Sequence, residues 1–218
     1  MRRYYLFVIM SILAALLIAL SIEPSLPVYR YKMLDITSQV SSNCPIASKV
    51  LPGCDAYQQT TNYTCGPAAV MTVMYYYKRL SNANLNKQYE IELANSMGAI
   101  PGSTGGTTQA ELADWFAKHG FNVHAGKNIK TDMLIHYIDL GIPTIVGFDG
   151  HWIVAKGYNR GSSTTLLNTD EIIFADSCCG VRKLSRYEID GTWQNSHKPY
   201  HHCSNDNGNY LVPIPLEQ

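Results

Sequence analysis

Gln58-Gln59-Thr60-Thr61-Asn62-Tyr63-Thr64-Cys65-Gly66-Pro67-Ala68-Ala69 is a polar segment that leads directly into an apolar run containing Val70, Met71, Val73, Met74, Tyr75 and Tyr76. Proline three positions into such a run suits the first turn of a helix, where no backbone donor is needed. The pattern therefore predicts a buried helix that begins at Cys65 and reaches its polar end at Lys78 and Arg79. A thiol at a helix start faces unpaired backbone N–H groups and the positive end of the helix dipole, and both stabilise a thiolate. Cys65 is the candidate nucleophile. Attack on a carbonyl would build an oxyanion that needs donors already in place. The Cys65 N–H and an upstream side-chain amide can supply them. Gln59, six positions before Cys65, is the candidate, with Gln58 as its competitor.

A thiolate also needs a group that holds its proton and returns it to the leaving amine, which imidazole does near neutral pH. Of the 7 histidines, His151 opens the run His151-Trp152-Ile153-Val154-Ala155-Lys156-Gly157-Tyr158, directly after the turn-forming Asp149-Gly150. The following apolar run, 172–176, ends in the carboxylate of Asp176. If the two strands are antiparallel neighbours, the start of one meets the end of the next, and Asp176 can orient the imidazole. Each residue has a plainer reading: a structural thiol or disulfide half, a core histidine, a turn aspartate, a loop amide. The ordered set of four favours a site.

The rest of the chain predicts helices at 89–97, at 108–118 with Thr107 or Thr108 as cap, and at 131–140 with Thr131 as cap. Strands are expected at 121–124, 142–148, 151–158 and 171–176. Helices precede most of the strands, so the expected class is α+β, with N-terminal helices packed on an antiparallel sheet. One domain over 55–218 accommodates all of this, with 23–54 as an irregular, Ser- and Pro-containing lead-in arm.

Lys plus Arg and Asp plus Glu number 17 each, so no net field exists to attract nucleic acid or anionic lipid. Met1-Arg2-Arg3 before the apolar residues 4–22 reads as an export signal, cleaved after residues such as Ala19-Leu20-Ser21 or retained as an anchor. The expected location is extracytoplasmic, periplasmic or secreted, with membrane contact only through an uncleaved segment. Six cysteines then suggest disulfides: Cys44 with Cys54, and Cys203 with Cys178 or Cys179. His197, His201, His202 and Cys203 have irregular spacing, which argues for a bridge with exposed histidines rather than a zinc site. No metal or cofactor is expected.

Glutamine, five residues, Cys-Gly-Pro-Ala-Ala at a helix start, the strand Gly-Ile-Pro-Thr-Ile-Val, then His-x-Ile-Val-x-x-Gly-Tyr and a strand ending in Asp together resemble the bacteriocin-processing peptidase family, family 39 of the papain-like cysteine peptidases, and its stand-alone relatives. The likeness runs over residues 55–190. It implies the papain-like fold, with Cys65 as nucleophile, His151 as base, Asp176 as orienter and Gln59 in the oxyanion hole. Family members commonly follow the aspartate with proline, whereas Ser177, Cys178, Cys179 and Gly180 follow here. Well-known members are fused to a transporter and cut leader peptides after two glycines. This chain instead opens on an export-like segment.

The expected function is thus an exported cysteine peptidase that hydrolyses peptide bonds through an acyl-enzyme. Peptide or protein is its partner, in a cleft lined by Trp152 and tyrosines. An acyltransferase or amidase on the same residues, or a catalytically silent peptide-binding domain, are the alternatives.

Overall fold

The computed structural model describes residues 48–102, 105–161, 170–192 and 208–216. Contacts divide the chain into Met1–Cys44, which lies wholly outside the described residues, and Pro45–Gln218. The N-terminal apolar stretch expected to be an export signal, most of the lead-in arm and the C-terminal histidines therefore fall outside them. No helix among the described residues is long and apolar enough to cross a membrane.

The helices come first, as expected. Helix α1 spans Cys65–Tyr76, and every residue from Cys65 to Met74 is buried. Tyr77 caps its C-terminal end, and the chain turns away at Lys78, whose φ of 55° departs from helical geometry. Helix α2, Lys87–Ser96, is capped by the Asn86 side chain, which accepts from the Tyr89 N–H at 3.0 Å. Helix α3, Gln109–Lys118, starts with a reciprocal box: Thr108 N–H donates to Glu111 Oε2 at 2.7 Å, and Glu111 N–H donates to Thr108 Oγ1 at 3.3 Å. Thr108, not Thr107, is the cap.

One antiparallel sheet of seven strands carries the rest. Its strands are β1 (Ser48–Val50), β2 (Phe121–Gly126), β3 (Thr144–Phe148), β4 (His151–Asn159), β5 (Glu171–Asp176), β6 (Gly180–Ser185) and β7 (Tyr210–Pro215). The order is β2-β7-β3-β4-β5-β6, with β1 also paired to β4. Helix α1 packs on β4. The buried core includes Met71, Phe116, Trp152, Ile153 and Phe174, all essentially without solvent exposure. Burying several such side chains, about 1.5–3 kcal/mol each, holds the helix layer to the sheet.

Four features depart from the sequence reading. The arm is not irregular throughout: Ser48–Val50 pairs with Asn159 to Gly157. There Gly157 is required, because a Cβ would lie 2.7 Å from the Lys49 carbonyl oxygen. Strand β7 inserts between β2 and β3, and its Pro213 sits where only β2 pairs with it, so the missing N–H costs no β3 bond. Helix α4, Thr131–Asp139, is not capped by Thr131. Instead Asp190, from helix α5 (Arg186–Thr192), accepts from the Thr131 N–H at 2.8 Å and the Thr131 hydroxyl at 3.0 Å. Finally, the expected bridges are not formed at their described ends. Cys54 is a buried thiol whose pKa is pushed up to about 12 by burial, and Cys178 and Cys179 are exposed thiols. Cys44 and Cys203 lie outside the described residues.

Candidate active site

The register Val154↔Ala175 sets the first residues of β4 beside the end of β5. His151 opens β4 and Asp176 closes β5, and His151 Nε2 lies 2.8 Å from Asp176 Oδ1. With Nε2 turned to the carboxylate, Nδ1 is the ring nitrogen left for the sulfur, and His151 also hydrogen-bonds Cys65. Cys65, His151 and Asp176 thus meet, as the sequence predicts. Cys65 and Asp176 are buried and the His151 side chain is 20% exposed.

The charges are coupled. Burial opposes protonation of His151, but the hydrogen bonds to Asp176 and Cys65, with the negative charge on each, overcome it and raise its pKa to about 9. Burial likewise opposes ionisation of Asp176. Donation from His151, from the Arg182 guanidinium and from the Cys178 backbone nevertheless holds its carboxyl well below the usual carboxylate range. At neutral pH the imidazole is therefore cationic and the carboxylate anionic, the state that keeps a neighbouring thiolate paired.

The Cys65 segment is fixed from two sides. In the first turn of α1 the geometry gives the N–H of Cys65 and Gly66 no acceptor four residues back, so those groups point out of the helix end. A Cβ on Gly66 would lie 1.9 Å from Thr107 Oγ1, so only glycine lets the two segments approach this closely. The same Thr107 accepts, through its carbonyl, the Trp152 indole N–H at 2.8 Å. Thr107 therefore touches the chain neighbours of both Cys65 and His151. Trp152 itself is fully buried, so it does not line the cleft as expected; pairing its indole donor inside the core is what takes it there.

Gln59 lines the cleft with Cys65, whereas Gln58 is exposed and its Nε2 lies near Gly180. The Ser177 hydroxyl donates to Gln59 Oε1 at 2.6 Å, and Gln59 Nε2 donates to the Thr61 carbonyl at 2.6 Å. Anchoring the oxygen aims the amide, and its second N–H remains for a developing oxyanion.

Two residues that the sequence reading missed complete the site. Glu90, fully buried on α2, accepts from Thr60 N–H at 2.9 Å, Thr60 Oγ1 at 2.7 Å, Tyr57 Oη at 3.2 Å and the Thr64 hydroxyl. It gathers the segment that carries Gln59 up to Cys65. Arg182, on β6, donates from Nε to Asp176 Oδ2 at 2.6 Å. The cleft itself, about 330 Å³, is lined by Gln59, Asn62, Cys65, Phe148, Asp149 and Arg182 among others. Among the described residues no group of His, Cys, Asp and Glu is arranged to hold a metal ion.

Residues 53–202 match the model of the Peptidase_C39 like family. Among solved structures, the chain is similar to the peptidase domain of Streptococcus ComA, described as a bi-functional ABC transporter involved in a quorum-sensing pathway. Identity is 21%, coverage 74% of this chain and 98% of that one, and the TM-score 0.49. It is also similar to a double glycine motif protease from an AMS/PCAT transporter, solved with its leader peptide, at 15% identity, coverage of 73% and 89%, and a TM-score of 0.48. No curated protein matches.

Proposed function

The chain belongs to the Peptidase_C39 like family, and from that premise we propose that it is an exported cysteine peptidase in which Cys65 attacks peptide carbonyls. The observation that carries the reading is the hydrogen-bonded line from Cys65 through His151 to Asp176 at the edge of an open cleft.

In the first half-reaction the Cys65 thiolate forms the S–C bond, and the carbonyl π electrons move onto oxygen. The Cys65 N–H and Gln59 Nε2 stabilise that charge. As the tetrahedral species collapses, the C–N bond breaks and the His151 imidazolium gives its proton to the leaving amine. Now neutral, His151 takes a proton from water, which attacks the thioester; collapse releases the acid and restores thiolate and imidazolium. Asp176 keeps Nε2 protonated throughout and so keeps Nδ1 turned to sulfur. An extracytoplasmic site of action fits the Arg2-Arg3 and apolar start of the chain.

The test is substrate profiling of the mature domain on a peptide library, under reducing conditions that keep the thiol uncapped. Cleavage that Cys65→Ala abolishes supports the assignment. A chain that cuts nothing, yet binds a peptide equally well with Cys65→Ser, would be a binding domain instead.

A further inference from the structure

We propose that Arg182 is a positioning residue of this site: through Asp176 it sets the orientation of His151 and neutralises the anion left when the thiolate–imidazolium pair forms. The inference rests on the catalytic reading of Cys65 and His151.

The β5–β6 hairpin explains how arginine gets there. In its register Phe174 faces Arg182 and Asp176 faces Gly180, so all four share one face of the sheet. Gly180 has no side chain, which leaves the site directly opposite Asp176 open. Arg182, the next residue on that face, reaches diagonally into it, and its guanidinium lies 5.7 Å from the centre of the Phe148 ring. Phe148 is the cross-strand partner of His151. Arg182 therefore touches both the carboxylate behind the imidazole and the residue paired with it.

Asp176 is saturated by four donors, two to each oxygen. Oδ1 accepts from His151 Nε2 at 2.8 Å and the Cys178 N–H at 2.9 Å. Oδ2 accepts from Arg182 Nε at 2.6 Å and the Cys179 thiol at 3.2 Å. With both oxygens held, the carboxylate cannot rotate away from the imidazole. Only the arginine brings a charge that does not titrate in the working range. Without it the active state would hold thiolate, imidazolium and carboxylate, a net negative charge in a largely dry site, which is costly when unpaired. The other titratable groups facing this cluster are Asp149 at the cleft and the thiols Cys178 and Cys179, none of them cationic. Apart from His151, Arg182 is the only cationic side chain among the described residues lining the cleft.

The test compares wild type with Arg182→Gln and Arg182→Lys, reading the pH dependence of Cys65 alkylation by iodoacetamide alongside kcat and KM on a cleaved peptide. Loss of a nearby positive charge makes both the thiol and the imidazolium weaker acids. In Arg182→Gln both limbs of the profile should move up by roughly half to one pH unit, and kcat should fall by about tenfold or more. Arg182→Lys should keep the limbs near their wild-type positions, because the charge stays, yet lose kcat, because lysine lacks the Nε–H that aims at Oδ2. KM should change little in either variant.

Unmoved limbs in Arg182→Gln overturn the proposal, even if activity drops, since a purely structural role would cost rate without shifting the titration. If Arg182→Gln does not fold, an undiminished kcat in Arg182→Lys overturns it equally. A wild-type alkylation profile with a single limb near that of a free thiol, about pH 8.5, sinks the enzyme reading itself and this inference with it.

Discussion

The two walls of the cleft are built on different principles. On one side His151 and Asp176 sit at adjoining ends of β4 and β5, and backbone ladders run behind both. On the other side residues 57–64, which carry Gln59 toward Cys65, form neither helix nor strand. Side-chain bonds to Glu90 gather them, supported by Tyr57 N–H to Thr72 Oγ1 at 3.1 Å and Gln59 N–H to the Ser177 carbonyl at 3.0 Å. A ladder spreads its strength over many bonds, so one side chain can change without moving the frame. A segment gathered chiefly by one carboxylate, with a few single bonds beside it, has much less redundancy.

That contrast can be broken most forcefully on the ladder side. His151→Gln should lower kcat/KM by about 10³-fold or more while moving the Tm measured near pH 9, where the His151 charge no longer contributes, by only a few degrees, because the base is lost and the strand is not. A collapse of the melting transition would show that the sheet wall depends on the imidazole after all. On the loop side the pattern should invert. Glu90→Ala leaves the fully buried Thr64 hydroxyl, and the donors of Tyr57 and Thr60 at the edge of the same carboxylate, without their acceptor and should cost about 3 kcal/mol, read by chemical denaturation, with activity falling as Gln59 loses its anchor segment. Should Glu90→Ala melt like wild type, the segment has another support.

Two smaller effects sharpen the comparison. Ser177→Ala releases Gln59 Oε1 across the cleft and should lower kcat several-fold, by about 1 kcal/mol of oxyanion stabilisation, with KM little changed. The pH dependence of stability supplies the other. The folded pKa of His151, about 9, is above the unfolded value of about 6.5, so the stabilisation is complete below pH 6.5 and fades as pH rises toward 9. Asp176 works in the opposite sense, since its stabilisation is present above the unfolded carboxylate pKa and is lost only in strong acid. Denaturation curves from pH 6.5 to 9 should therefore slope downward in wild type, and His151→Gln should remove that part of the slope.

The same division governs what could be read from sequence. Cys65, His151 and Asp176 announce themselves because each sits at a boundary of a periodic run: a helix start, a strand start, a strand end. Gln59 could be told from Gln58 only once Gly180 and Ser177 were seen beside them, since neighbours in an extended segment look alike in one dimension. Glu90 gave no signal at all, because a glutamate in the first turn of a helix ordinarily faces solvent and favours the dipole. Arg182 was hidden for a related reason: its partner faces it across a hairpin whose register the sequence did not specify. Strand β7 escaped notice because Pro213 and Pro215 disguise it, and its slot between β2 and β3 joins parts of the chain far apart in sequence. Asp190 likewise caps a helix fifty-nine residues away.

Thr107 acts as the gauge block of the molecule. It takes part in no bond-making step in the proposed reaction, yet it stands between the layer that bears the sulfur and the layer that bears the imidazole. Widening position 66 by a single methyl would force those layers apart at this point, and the gap between the reacting atoms would open with them. In the proposed reaction the reach of Cys65 is thus machined by a residue outside the cleft lining, and trimming or thickening it offers a way to tune turnover while every reacting side chain stays as it is.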